Sequence, residues 1–205
     1  MRKLYLTLWC LLPLGGLAYH YGPGRARLVL DEAAAAVDEA REHARVAQGL
    51  KGDDATAEWA LASARFEAAL TLLPKDSTAE RRALTLERAK ARMLCSQLPQ
   101  ANAELRALVQ ELEAEPTPDA ALLFDARRTW ANSEYYMTWL ARLEGASETE
   151  WEPRIEAARQ VYKLLAGDGT ASAETKRGVE EDLEASIRLA RMDLGELTGL
   201  PLPSQ

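Results

Sequence analysis

The sequence predicts an all-α protein, and three observations carry the prediction. Ala, Leu, Glu and Arg, all strong helix formers, dominate the composition. No stretch alternates β-branched or aromatic residues with polar ones at the period of two that a half-buried strand needs. Segments with apolar residues three and four apart recur along the chain. They are closed by Pro or Gly and reopened by residues that cap helices. Of the 205 residues 28% are charged and 47% hydrophobic, which is enough apolar side chain for a packed core.

The first element is N-terminal. After Arg2 and Lys3, an apolar run from Leu4 to about Tyr21 would span ~27 Å as a helix, the thickness of a bilayer core. Tyr19 and Tyr21 fall where an interfacial aromatic belt sits, and Gly22-Pro23-Gly24 breaks the run. Residues 1–24 are therefore expected as a transmembrane signal anchor. A signal peptide cut after Ala18 is the alternative, since Gly16 and Ala18 supply small residues at the right spacing. A buried core helix is the third reading. Arg25 and Arg27 nearly match Arg2 and Lys3, so the charge difference orients weakly. The short N-terminal tail points to an exported body, periplasmic in a bacterium, or secreted if the segment is cut.

Seven helices are expected over residues 25–199, followed by a short tail, 200–205. The first runs from about Arg25 to Gln48, with a stripe of Leu30, Val37, Ala40, Ala44 and Ala47 and a left-handed Gly49 cap. The second is capped by Asp53 or Asp54, carries Trp59, Ala62, Phe66, Leu70 and Leu73, and stops at Pro74. The third opens on a Ser77/Glu80 capping-box pattern, with Leu84, Ala91, Leu94 and Leu98 on one face. The fourth lies between Pro99 and Pro116 with Ala101, Leu105, Leu108 and Leu112 inward. The fifth starts with Thr117 as cap and Pro118 in the first turn, and ends near Leu143 at Gly145. Leu123, Trp130, Met137 and Leu140 form one core stripe on it. Tyr135 and Trp139 form a second, as a helix packed on two sides requires. The sixth opens on Thr149 and Glu152, buries Ile155, Ala158, Tyr162 and Leu165, and ends at Gly167. The seventh runs from about Ser172 with Val179, Leu183, Ile187, Ala190, Leu194 and Leu197 in line, and stops at Gly199, Leu200 and Pro201. Short connections imply antiparallel neighbours.

A net charge of -7 argues against nucleic-acid binding, which needs a basic surface against phosphate. Cys10 and Cys95 are not expected to pair, and with His20 and His43 they give no zinc spacing. Glu180, Glu181, Asp182 and Glu184 read as a salt-bridged outer face with Arg177 and Arg188 nearby. No glycine-rich phosphate loop, Ser-His-Asp set or calcium loop is present in the sequence. The expectation is no catalytic residue, no metal and no cofactor: a non-enzymatic protein.

Ala62, Phe66, Ala69 and Pro74 follow the spacing A-x3-F-x2-A-x4-P, with Ala158 and Tyr162 a weaker echo. The stretch resembles the second helix of a tetratricopeptide repeat. There small residues allow close approach, an aromatic fills the gap between repeats and proline ends the helix. The expected helix pairs start near residues 25, 78 and 118, and the seventh helix near 172, spaced more widely than the ~34 residues of that family. The resemblance implies a divergent, TPR-like array of antiparallel helices whose inner face is lined by the first helix of each pair. It also implies binding of peptides or proteins on that face. Two stripes on those helices are the expected partner-binding residues: Arg81, Arg88 and Arg92, and Arg128, Asn132 and Tyr136. Guanidinium forks and an amide there suit a peptide backbone or carboxylate. The functional expectation is a membrane-anchored scaffold that binds another protein in a cell-envelope complex. The alternative is a structural helical domain that self-associates, as a homo-oligomer, without a peptide groove.

Overall fold

The computed structural model describes residues 25–169 and 171–197. Over these the protein is all-helical and helical-repeat-like, with eight helices. They are α1 (Arg25–Gln48), α2 (Gly52–Leu72), α3 (Thr78–Leu94), α4 (Leu98–Glu113), α5 (Ala120–Leu143), α6 (Glu148–Ala166), α7 (Ala173–Arg191) and α8 (Leu194–Leu197). Among the described residues no helix is long and apolar enough to cross a membrane. The expected anchor or signal segment, 1–24, the stop at Gly199 to Pro201 and the tail lie outside them. The chain forms two compact units, divided between Leu84 and Thr85 inside α3.

In the first unit α1 and α2 pack along their length. Their contact is built from small side chains: Ala33, Ala36, Ala40 and Ala47 on α1, and Ala62, Ala69, Phe66 and Leu70 on α2, are all buried. Alanine leaves little side chain between the two backbones, so the helices approach closely. At the margins His43 Nδ1 lies 2.7 Å from Glu58 Oε2, and Arg65 Nε 2.9 Å from Glu39 Oε2. The expected α1 stripe needs correction at its start: Leu30 is 44% exposed, and the contact line begins at Ala33. Gly49 is not the left-handed cap. α1 ends in tight turns, Gly49 N to Val46 O and Leu50 N to Ala47 O, and the left-handed residue is Gly52, at the start of α2. α2 stops as expected. Leu73 turns extended, φ -63° and ψ 136°, because the ring of Pro74 excludes the helical region for the residue before it.

In the second unit α3, α4 and α5 share a core of Leu86, Ala89, Leu105, Leu108, Leu112 and Leu123 with their neighbours. α5, α6 and α7 share Ala131, Ala158, Tyr162, Leu165 and Val179. A third cluster, Tyr135, Ile155, Leu189 and Leu197, closes the C-terminal end of α5. α5 touches α7 as well as α4 and α6. Lys90 on α3 reaches Asp125 on α5 at 2.8 Å. Contact with the neighbour and the next-but-one helix is what gives the fold its repeat-like character.

Two caps lie two residues from their expected places. α5 is capped by Asp119, whose Oδ1 accepts from Ala121 N and Leu122 N at 3.0 Å each, and not by Thr117. Proline at 118 has no N–H and sits before the cap. Asp119→Ala is expected to destabilise by about 1 kcal/mol, and Asp119→Ser by a few tenths, by urea unfolding. α6 opens on Ser147 and Glu150, with Glu150 Oε2 taking Ser147 N at 2.8 Å and Ser147 Oγ at 2.7 Å, and not on Thr149 and Glu152. Gly145 is left-handed at φ +79° and closes α5 as expected.

The seventh helix departs furthest. Its buried line is Val179, Asp182, Ser186 and Leu189, shifted from the expected Leu183, Ile187 and Ala190, which are half-buried. It does not run on to Leu197. Met192 is extended, φ -64° and ψ 151°, and α8 restarts after Asp193.

Candidate binding face

The two predicted stripes meet different fates. Arg81, in the first unit, caps the end of α2: its Nη1 donates to Leu70 O at 2.6 Å and Leu73 O at 3.1 Å. These carbonyls lack helical partners because Pro74 ends the helix. Arg88 and Arg92, in the second unit, both reach from α3 to Glu104 on α4, Arg92 Nη1 at 2.9 Å from Oε2. The carboxylate is 11% exposed and sits under both guanidinium groups. This stripe ties helices together.

The second stripe, on α5, is held from beneath and open above. Arg128 Nε and Nη2 both donate to Asp182 Oδ2 on α7, at 3.1 and 2.9 Å. The Asp182 side chain is 9% exposed and that of Arg128 31%. Burial raises the Asp182 carboxyl above its ordinary pKa, and the Arg128 hydrogen bond and charge oppose the rise. One turn on, Asn132 Oδ1 accepts from the Tyr162 hydroxyl at 2.6 Å. Tyr162 rises from the α6–α7 core, and its phenol is pushed well above its ordinary pKa, by burial first and then by Asp182. Tyr136, another turn on, meets Tyr135 edge-on at 5.7 Å between ring centres.

Each anchor leaves a donor uncommitted. Arg128 Nη1 and Asn132 Nδ2 have no hydrogen-bond partner among the described residues. The two side chains are four residues apart on one helix face, so these donors are neighbours. The face continues to Leu140 and Leu143, which are 39% and 38% exposed. Near its Arg128 end Asp125 is bonded to Lys90 on α3. Beside Arg128 lies a shallow groove lined by Glu174, Thr175, Arg177, Gly178 and Glu181.

Gly178 makes that arrangement possible. A Cβ there would come within 3.2 Å of Arg128 Nη2. Glycine inside a helix costs about 1 kcal/mol against alanine, so its presence at a half-buried position within α7 is a sign of close approach. Sequence reasoning took α7 as a solvated acidic face. Arg177 and Glu181 do pair at 3.9 Å, but Asp182 is buried against Arg128, a correction that four adjacent acids in the sequence could not reveal. Tyr162 was placed in the core correctly, without its bond to Asn132.

The aromatic stretch is mainly core. Tyr135 is 3% exposed and Trp139 half-buried, as a two-sided helix predicts. Leu140 is the exception: it is 39% exposed and lies on the open face, not in the expected core stripe. Among the described residues no group of His, Cys, Asp or Glu is placed to hold a metal.

These features define an all-helical, repeat-like protein with a polar-to-apolar face along its central helix. Comparison with protein-family models, with curated proteins and with solved structures gives no match.

Proposed function

We propose that the protein is a non-enzymatic helical scaffold, divergent from tetratricopeptide repeats, that binds another protein along the open face of α5. The observation that carries the reading is the pair of anchored residues with spare donors. Arg128 and Asn132 are fixed by Asp182 and Tyr162, yet each keeps a nitrogen donor that meets no acceptor among the described residues. Fixed donors lose little side-chain entropy when a peptide carbonyl or carboxylate meets them. Tyr136, Leu140 and Leu143 supply the apolar part of the same face. Attachment through residues 1–24 to a bilayer, in a cell envelope, is part of this proposal and rests on the sequence of that segment.

A second reading is favoured by Leu140 and Leu143: leucines exposed side by side on α5 suit self-association equally well.

The test uses a variant that spares the internal bonds. Asn132→Asp keeps the acceptor for the Tyr162 hydroxyl while removing the Nδ2 donor, and Leu143→Glu charges the apolar end. Full-length tagged protein is cross-linked in its own cells beside this double variant. The scaffold reading expects a distinct envelope protein that is lost at least ~10-fold in the variant, a change of about 1.4 kcal/mol. Circular dichroism should be unchanged. Recovery of the chain only with itself would sink that reading and leave the self-associating one.

A further inference from the structure

The geometry points to α8 as a releasable latch that fills an apolar slot at the C-terminal end of α5. The slot takes a leucine-type anchor from a partner helix when α8 lets go. Four observations carry this.

The first is the break itself. No proline stands in "RLARMDLGEL", and its one glycine, Gly195, comes after the break; the only local signal is the Asp193/Glu196 capping pattern, which permits a restart without forcing a stop at Met192. The chain nevertheless turns extended at Met192 and restarts after Asp193. The second is the device that holds the break. Arg142, on α5, donates through Nη1 to Leu189 O and through Nη2 to Met192 O, two carbonyls freed where α7 ends. Its guanidinium lies over the Trp151 ring, 4.6 Å from the centre. The third is the restart. Glu196 N donates to Asp193 Oδ1 at 2.8 Å, and Asp193 N to Glu196 Oε2 at 3.3 Å, a reciprocal cap on a helix of four residues.

The fourth is what α8 delivers. Leu197 is fully buried, against Tyr135, Ile155 and Leu189, with Tyr136, Trp139 and Trp151 around them. A helix of one turn has almost no stability of its own, since nucleation is unfavourable. Among the described residues one leucine and one cap hold it, with Arg142 clamping the two-residue joint. The Trp139 Nε1 group beside that cluster is buried and has no hydrogen-bond partner among the described residues. A buried indole N–H without an acceptor costs free energy that an occupant with a carbonyl in reach would recover. α8 satisfies the apolar part of the slot and leaves that donor unmet.

The latch borders the proposed partner face, because Tyr136 belongs to both. A partner helix running along α5 past Tyr136 meets α8 and must place its own leucine where Leu197 sits. This consequence rests on the scaffold reading. The latch does not, and it is tested on the chain alone.

Hydrogen exchange of the full-length wild type is followed beside a Leu197→Ser variant probed with 8-anilinonaphthalene-1-sulfonate. The latch predicts that the amides of Glu196 and Leu197 open locally, at least ~100-fold more often than those of α5 around Tyr135. It also predicts that the variant keeps its α-helical circular dichroism while its dye fluorescence rises several-fold over wild type. Exchange of the Leu197 amide only with global unfolding would overturn the proposal, and so would loss of the fold in the variant. Either result would make α8 an integral part of the core. An unchanged dye signal in a folded variant would overturn it too, since no slot would have been uncovered.

Discussion

Phe66→Ala is expected to lower the stability of the first unit by about 3–5 kcal/mol, the largest single effect in the chain. Phe66 is 3% exposed, in a contact otherwise made chiefly of alanine. Removal of a ring leaves a hole that neighbours must close. Here they have little room to do so, because Ala62 and Ala69 on the same face of α2 are already fully buried. Urea unfolding followed by circular dichroism would show a lower midpoint or a separate early transition for the first unit. Phe66→Leu, which keeps most of the volume, should cost less than half as much. A loss below about 1 kcal/mol for Phe66→Ala would show that the helices close up, contrary to the alanine argument.

Arg128→Met should destabilise the second unit by about 2–3 kcal/mol at pH 7, because it strands a buried carboxylate. The figure sits below the range for a wholly buried pair because Arg128 is 31% exposed and water can enter in its place. The pH dependence identifies the cause. Asp182 has a folded pKa raised above its ordinary 3.8. A raised carboxyl contributes stability that is fully present below the unfolded pKa and lost as pH rises through the folded one. Arg128 opposes that rise, so its removal carries the folded pKa further up and widens the window of loss. The variant should therefore approach wild type near pH 4 and fall away toward pH 7. Asp182→Asn added to Arg128→Met should flatten the curve. An equal loss at both pH values would assign the effect to packing by the Arg128 stem.

Seven of the eight described helices and most buried faces were legible in the sequence because they depend on spacing along one chain. Ala101, Leu105, Leu108 and Leu112 are buried as their periodicity requires, as are Ile155, Ala158, Tyr162 and Leu165. Pro74 and Gly145 end helices for reasons of local backbone geometry. The misplaced caps at Thr117 and Thr149 show the limit of that kind of reading. Several Ser, Thr and Asp residues compete within three positions, and the choice between them depends on the approach of the preceding loop.

The site was legible only in outline. Arg128, Asn132 and Tyr136 were found by their spacing on one helix. Nothing in the sequence told them apart from Arg81, Arg88 and Arg92, which the fold uses as ties to α2 and to Glu104. The difference lies in partners 8 to 54 residues away in sequence.

The sequence by itself determined an all-helical chain, its turns, and which face of most helices is apolar, because these follow from propensity and period within a few turns. Only the tertiary structure decided which charges are ties and which are open. It alone buried Asp182, set Gly178 under Arg128 and broke the last helix at Met192. Each of these is fixed by a contact between helices, where desolvation and a distant partner outweigh anything the local sequence prefers.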